Sequence, residues 1–173
     1  NYLVFNGEMY DTNIQNDTKY LADGLEHYGF KFLEWNDWHG SLAWYQPEKN
    51  KLIVCRDHFG AKPLWIHKKG KHVTVTTSLR SLSDMKENRA NKKGFIVNAL
   101  LQGNESPYKD VVKVAPGEYV IFDFNKNKII YKNLWNSFKV RSNTFSKADF
   151  RARLIANIQK IATSRQKTGL FLS

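Results

Sequence analysis

Short apolar runs cut by polar turns dominate this chain, and they limit its fold class before any single motif does. Lys51-Leu52-Ile53-Val54-Cys55, Leu64-Trp65-Ile66-His67 and Val73-Thr74-Val75 are of strand length, and so are the stretches 118–124 and 128–132. Between them stand Pro47-Glu48-Lys49-Asn50, Lys68-Lys69-Gly70-Lys71 and Asn125-Lys126-Asn127, the residue types that set turns. β-rich runs bounded by such clusters read as strands joined in antiparallel hairpins. The spacing predicts strands over 1–5, 41–46, 51–56, 63–67, 72–77, 118–124 and 128–132. Helical spacing is sparser: 18–28 places Leu21, Leu25 and Tyr28 on one side, and 79–85 and 94–102 are shorter candidates. The pattern implies an α+β class, helices against antiparallel sheet.

With 173 residues, 42% of them hydrophobic and 14% aromatic, the chain has apolar material for one sizeable core, and disorder is not expected. No apolar stretch approaches the roughly 20 residues of a membrane helix, and no basic segment leading into an apolar one marks a secretory signal. No membrane partner is expected. The single cysteine, Cys55, excludes an internal disulfide and a cysteine-based metal site, so no metal site is expected. It also points to a reducing compartment, hence the cytoplasm. A net charge of +11 attracts phosphates by general electrostatics. Its densest runs, Lys68 to Lys71 and Asn91-Lys92-Lys93, look like solvated turns. A nucleic-acid face needs aromatics interleaved with arginines, and no such stripe is present, so no nucleic-acid partner is expected.

One early segment carries chemistry. The apolar run Tyr2-Leu3-Val4-Phe5 leads into Asn6-Gly7-Glu8, and Asp17 follows in an Asn-Asp-Thr turn ahead of a helical stretch. A carboxamide and a glycine N–H presented side by side can donate two hydrogen bonds to the oxygen of a tetrahedral intermediate. A carboxylate such as Asp17 can anchor the α-ammonium of an amino-acid substrate. The competing reading is a hairpin turn at Asn6-Gly7, since both residue types tolerate positive φ.

A second segment changes the weight of the first. Arg56-Asp57-His58-Phe59-Gly60-Ala61-Lys62-Pro63-Leu64-Trp65 lies between two strand candidates. Together with Asn6 to Tyr10, Asp17, Gly40-Ser41-Leu42-Ala43, Ser78 and Val114-Ala115-Pro116-Gly117, it resembles the glutaminase domain of glutamine-dependent asparagine synthetases, with the segments in the family's order. The resemblance implies two stacked antiparallel sheets between helical layers, the four-layer αββα arrangement of N-terminal nucleophile enzymes, here without its leading strands. It implies that Asn6 and Gly7 are oxyanion donors, Glu8 a glutamine-contacting residue and Asp17 the α-ammonium anchor. Residues 1–140 would be a partial glutaminase domain. Residues 141–173 would be a linker, rich in Ser, Asn and Thr at Arg141 to Thr144, followed by the start of an ATP-dependent synthetase domain. There Ser146-Lys147-Ala148-Asp149 reads as a capping-box variant, and Phe150, Leu154, Ile158 and Ile161 form one helical stripe. Leu172 would lie beside the adenine of ATP.

By the same resemblance glutamine is the nitrogen donor and aspartate the acceptor. ATP and magnesium belong to the complete enzyme, with none expected on this stretch alone, and a homodimer is compatible with the family. The family's nucleophile is a cysteine at the first position, and Asn1 stands there, so the stretch is expected to be inactive toward glutamine unaided. Cys55, inside an apolar strand, reads as core packing and not as a substitute nucleophile. Arg56, Asp57 and Gly60 read first as turn structure. Two departures from the family pattern, Lys19 and Leu79 where it usually has Glu, bear on glutamine use. The alternative is a non-catalytic scaffold domain, like those of β-lactam synthetases and lasso-peptide cyclases, which keep this architecture without the amidase nucleophile.

Overall fold

The structure, a computed structural model, describes residues 1–10, 14–82, 86, 104–134 and 146–162. The expected Leu172 position, the candidate helix 94–102, the Asn91-Lys92-Lys93 run and the boundary near residue 140 lie outside the described residues.

Among the described residues, eight strands form two antiparallel sheets. β1 (Tyr2–Met9), β2 (Trp38–Gln46), β3 (Lys51–Arg56), β7 (Glu118–Asp123) and β8 (Lys128–Asn133) make the larger sheet in the order β1-β2-β3-β7-β8. β4 (Trp65–Lys69), β5 (His72–Thr76) and β6 (Val111–Lys113) make the smaller one in the order β5-β4-β6. Helices α1 (Asp17–Tyr28) and α2 (Lys31–Trp35) cover the larger sheet, and a 3-10 turn at Leu79–Leu82 covers the smaller. The α+β class with stacked antiparallel sheets flanked by helices is therefore the observed architecture.

The strand period of two explains the layers. Along β3, Ile53 and Cys55 face the helices while Val54 faces the second sheet, and all three are buried. The helix-side core gathers Met9, Leu21, Leu25, Leu33, Trp38 and Leu42. The inter-sheet core gathers Val54, Leu64, Ile66, Val114, Val120 and Phe122. Leu21 and Leu25, one helical turn apart on α1, are essentially inaccessible, and burying each contributes about 1.5–3 kcal/mol. Asn16 caps α1, its carboxamide oxygen accepting the Lys19 N–H at 2.9 Å.

Hairpins β2–β3, β4–β5 and β7–β8 fall where the turn residues predict. β1 does not end at Phe5: it runs through Asn6, Gly7 and Glu8 to Met9, each residue paired with β2. The hairpin reading of Asn6-Gly7 is thereby excluded. What lets the strand continue is a second glycine opposite the first. Gly7 pairs with Gly40, and a Cβ on Gly7 would lie 2.1 Å from the His39 carbonyl oxygen, so the two backbones approach where neither carries a side chain.

Of the sequence candidate 79–85, the described part is the short turn Leu79–Leu82. The C-terminal helix α3 (Lys147–Ala162) forms as expected, with Ser146 Oγ accepting the Asp149 N–H at 3.0 Å and donating to the Asp149 carboxylate. Its stripe residues Phe150, Leu154 and Ile158 are exposed, and Lys160 pairs with Asp37. No helix among the described residues is long and apolar enough to cross a membrane.

Candidate functional site

β1 is the outermost strand of its sheet, and its two faces are sorted by parity. Leu3, Phe5 and Met9 pack into the helix-side core, while Val4, Asn6 and Glu8 are exposed on the face nearer the second sheet. The Asn6 carboxamide donates to the Thr77 hydroxyl at 2.9 Å, just past the end of β5. One of its two amide hydrogens is used there. Beside it, a cleft of about 300 Å³ opens between β1 and β5, lined by Val4, Ser41, Ala43, Leu64, Val75 and Thr77 among others.

The N–H groups of β1 are sorted too. Tyr10 N–H donates across to the Asp37 carbonyl at 2.9 Å, continuing the ladder toward β2. Met9 N–H, one residue earlier, points to the opposite edge and donates to the Asp17 carboxylate at 3.1 Å. Alternation in an antiparallel edge strand then turns the Gly7 N–H, two residues before Met9, toward that same open edge. Gly7 and Asp17 thus share the edge of β1. Asn6 presents its carboxamide on the adjoining face, engaged with Thr77.

Glu8 sits opposite His39, two residues along from Asn6 on the same face. Tyr10 follows, its hydroxyl bonded to His39 Nδ1 and the two rings 5.1 Å apart. Burial raises the Tyr10 hydroxyl pKa, and the nearby Glu8 and Asp57 carboxylates add to the shift, so the phenol stays protonated. His39 and Thr77 were not legible as site residues, because each reaches the motif only through strand pairing or sheet stacking. The local signal at Thr77 is its place directly before Ser78.

Behind the site lies a knot of backbone contacts. Asp57 is buried, its carboxylate accepting N–H groups from Gly40, Phe59 and Ala61 at 2.9–3.2 Å. The Arg56 guanidinium donates to the carbonyls of Gly60, Lys62 and Val114 at 2.6–2.8 Å. Gly60, at φ +66°, lies against that guanidinium, 2.7 Å from where a Cβ would stand. Arg56, Asp57 and Gly60 have the structural role their turn chemistry suggests.

Cys55 is fully buried, and burial pushes its thiol pKa well up, reinforced by the Asp57 charge. It packs with the helix-side core and is no nucleophile in this state. Among the described residues no group of His, Cys, Asp and Glu could hold a metal ion.

The model of a family described as "Glutamine amidotransferase domain" matches residues 1–135. Among solved structures, the chain is similar to a glutamine phosphoribosylpyrophosphate amidotransferase from B. subtilis in complex with ADP and GMP, at 16% identity and a TM-score of 0.53, over 79% of this chain and 29% of that one. It is similar to a structure described as the allosteric regulatory enzyme of purine biosynthesis at 17% identity and 0.53, again over 79% and 29%. At such identities the likeness is one of fold. The chain spans less than a third of those proteins' length. No curated protein matches it.

Proposed function

The chain belongs to the glutamine amidotransferase domain family, and on that footing we propose that it is the glutamine-binding wall of an asparagine synthetase, which moves glutamine nitrogen to an ATP-activated aspartate. The observation that carries this reading is the edge shared by Gly7 and Asp17, with the Asn6 carboxamide adjoining it. A nucleophile attacking the glutamine side-chain carbonyl drives the C=O electron pair onto oxygen. The Gly7 N–H and the second amide hydrogen of Asn6 then donate to that oxyanion, and collapse of the intermediate expels ammonia. Asp17, whose carboxylate already accepts the Met9 N–H, holds the substrate α-ammonium, and Glu8 contacts glutamine from the face it shares with Asn6.

The described residues supply stabilisation and binding. Hydrolysis needs an activated nucleophile brought to this edge from outside them, since Cys55 is sealed in the core. In the complete enzyme ATP would supply the activation of aspartate, and magnesium would neutralise the phosphates of the ATP. Leu172, proposed to lie beside the adenine, falls outside the described residues.

One observation favours the scaffold alternative. The Asn6 amide and the Asp17 carboxylate both have partners within the chain, Thr77 and Met9 N–H, as in a domain that only supports its neighbour. Asn6→Ala in the complete protein separates the readings. Losing an oxyanion donor costs about 10² to 10³ in glutamine-dependent synthesis, with ammonia-dependent synthesis retained. An equal fall with both nitrogen sources makes Asn6 structural. No glutamine-dependent activity in the unaltered complete protein, with ammonia-dependent activity intact, assigns the scaffold role.

A further inference from the structure

At the end of the sandwich away from Asn6, the layer between the sheets does not close. The β2–β3, β4–β5 and β7–β8 turns surround a cleft of about 510 Å³ there, separated from the Arg56 end by the length of β3, about 17 Å at some 3.3 Å per residue. The apolar part of its lining comes from the inter-sheet core. Phe122 and Phe124 stack with ring centroids 6.4 Å apart and planes 17° from parallel, Val73 and Ile129 lie with them, and Asn50, Gly70 and Asn127 of the turns also line the cleft. Its rim is cationic. Lys68, Lys71 and Lys128 are exposed around the mouth, and none has an acidic partner among the described residues.

The one carboxylate in the lining, Asp123, is buried and already neutralised. Lys51 pairs with it at 3.4 Å and the Lys126 N–H donates to it at 3.0 Å. It therefore offers little attraction to a cation and little repulsion to an anion. Three uncompensated ammonium groups over stacked aromatic rings select a ligand with two parts, a flat apolar body and one anionic head. The volume lies within the range of small-molecule sites, and the chain's net charge of +11 draws such an anion in.

We propose that this cleft is a binding site for a small aromatic acid, its ring seated against Phe122, Phe124 and Ile129 and its carboxylate or phosphate held by Lys68, Lys71 and Lys128. The site is separate from the amidotransferase edge and does not depend on the role given to Asn6.

The test is titration of the protein with 2-naphthoate and 2-naphthyl phosphate, followed by NMR of the backbone amides. Saturable shifts are expected at Val73, Phe124 and Ile129, with the tighter of the two probes identifying the preferred head. The neutral 2-naphthylmethanol and inorganic phosphate should each bind at least ten-fold more weakly, because each has only half of the recognised chemistry. Affinity should fall at least ten-fold in the double variant Lys71→Glu, Lys128→Glu, whose exposed positions leave the thermal midpoint in place. Raising the salt from 50 to 500 mM should weaken binding in the unaltered protein and not in the variant. No saturable shifts, shifts centred elsewhere, equal binding of the neutral analogue, or unchanged affinity in the double variant would each overturn the proposal.

Discussion

Asp57 and Gly40 hold each other twice: the Asp57 carboxylate accepts the Gly40 N–H at 3.0 Å, and the Asp57 N–H donates to the Gly40 carbonyl at 2.9 Å. The Asp57 carbonyl also accepts from Gly60 at 3.0 Å and from Gly117 at 2.8 Å, so one residue ties β2, the loop after β3 and the approach to β7. Gly40 in turn lies against Gly7. A loop residue thereby fixes where the edge of β1 stands.

Asp57→Asn keeps the volume and replaces one acceptor oxygen by an NH2 that faces backbone donors. Hydrogen bonds to a charged acceptor are worth about 1.5–3 kcal/mol, and a buried donor left unmet adds its desolvation cost. The expected loss is about 2–4 kcal/mol, seen as a lower urea midpoint with an unchanged slope. A loss under 0.5 kcal/mol would mean that water replaces the carboxylate and that the knot is not structural.

Gly7→Ala tests the close approach of β1 and β2. The added methyl would sit 2.1 Å from the His39 carbonyl oxygen and 2.7 Å from the Gly40 Cα, both backbone atoms, so the strands must part. Overpacking of this kind costs about 1–3 kcal/mol. Faster hydrogen exchange of the amides from Asn6 to Met9 should accompany the lower thermal midpoint. Unchanged exchange in those residues would show that the strands accommodate the methyl without parting.

The contrast between local and distant contacts decides what could be read from the sequence. Turn residues at Pro47 to Asn50, Lys68 to Lys71 and Asn125 to Asn127 act within a few positions, and the three hairpins fall where they stand. The continuation of β1 through Asn6-Gly7 was not readable. Its cause is Gly40, 33 positions later, while the dipeptide alone carries a turn signal. β6, with Val111-Val112-Lys113, and the five-residue α2 are too short to show a period and form through tertiary packing. At the site, residue types were legible and partners were not. Nothing near Asp17 announces that its carboxylate takes the Met9 N–H, and Thr77 meets Asn6 only because the sheets stack.

Thr77→Val follows from that last contact. It removes the acceptor that orients the Asn6 carboxamide and leaves a side chain of similar shape. The bond is exposed, so stability should change by no more than about 1 kcal/mol. In the complete protein, glutamine-dependent turnover should fall about ten-fold, equivalent to ~1.4 kcal/mol of transition-state stabilisation, with ammonia-dependent turnover unchanged. A faster enzyme would show instead that Thr77 competes with the oxyanion for the Asn6 donor.

Cys55 gives a probe of opening. With its thiol fully buried and its pKa raised by burial and by Asp57, native protein should react with a disulfide reagent only as fast as the chain opens. Labelling should track urea-dependent unfolding and accelerate in Gly7→Ala, whose β1 covers the same core. Rapid labelling of unaltered protein in buffer at neutral pH would place the thiol at the surface and reopen the question of the nucleophile.

Acid should act through Asp123. Burial works to raise its carboxyl pKa, but the Lys126 N–H and the Lys51 ammonium outweigh burial and hold it below the ordinary carboxylate range. The unfolded chain, with the pKa near its usual value of about 4, takes up a proton first as the pH falls. The stabilisation Asp123 provides is therefore complete above that value and disappears as the pH drops through the lower folded pKa. Asp123→Asn, which cannot ionise, should lower the urea midpoint at pH 6, and the gap to the unaltered protein should narrow as the pH falls below about 4. Lys51→Met removes one cause of the depression and brings the folded pKa closer to the unfolded one, so the acid-induced fall in midpoint should be smaller and should end at a higher pH. If the gap between Asp123→Asn and the unaltered protein stays constant from pH 6 to pH 2, the carboxylate contributes packing alone, and the Lys51 pair is not what holds it ionised.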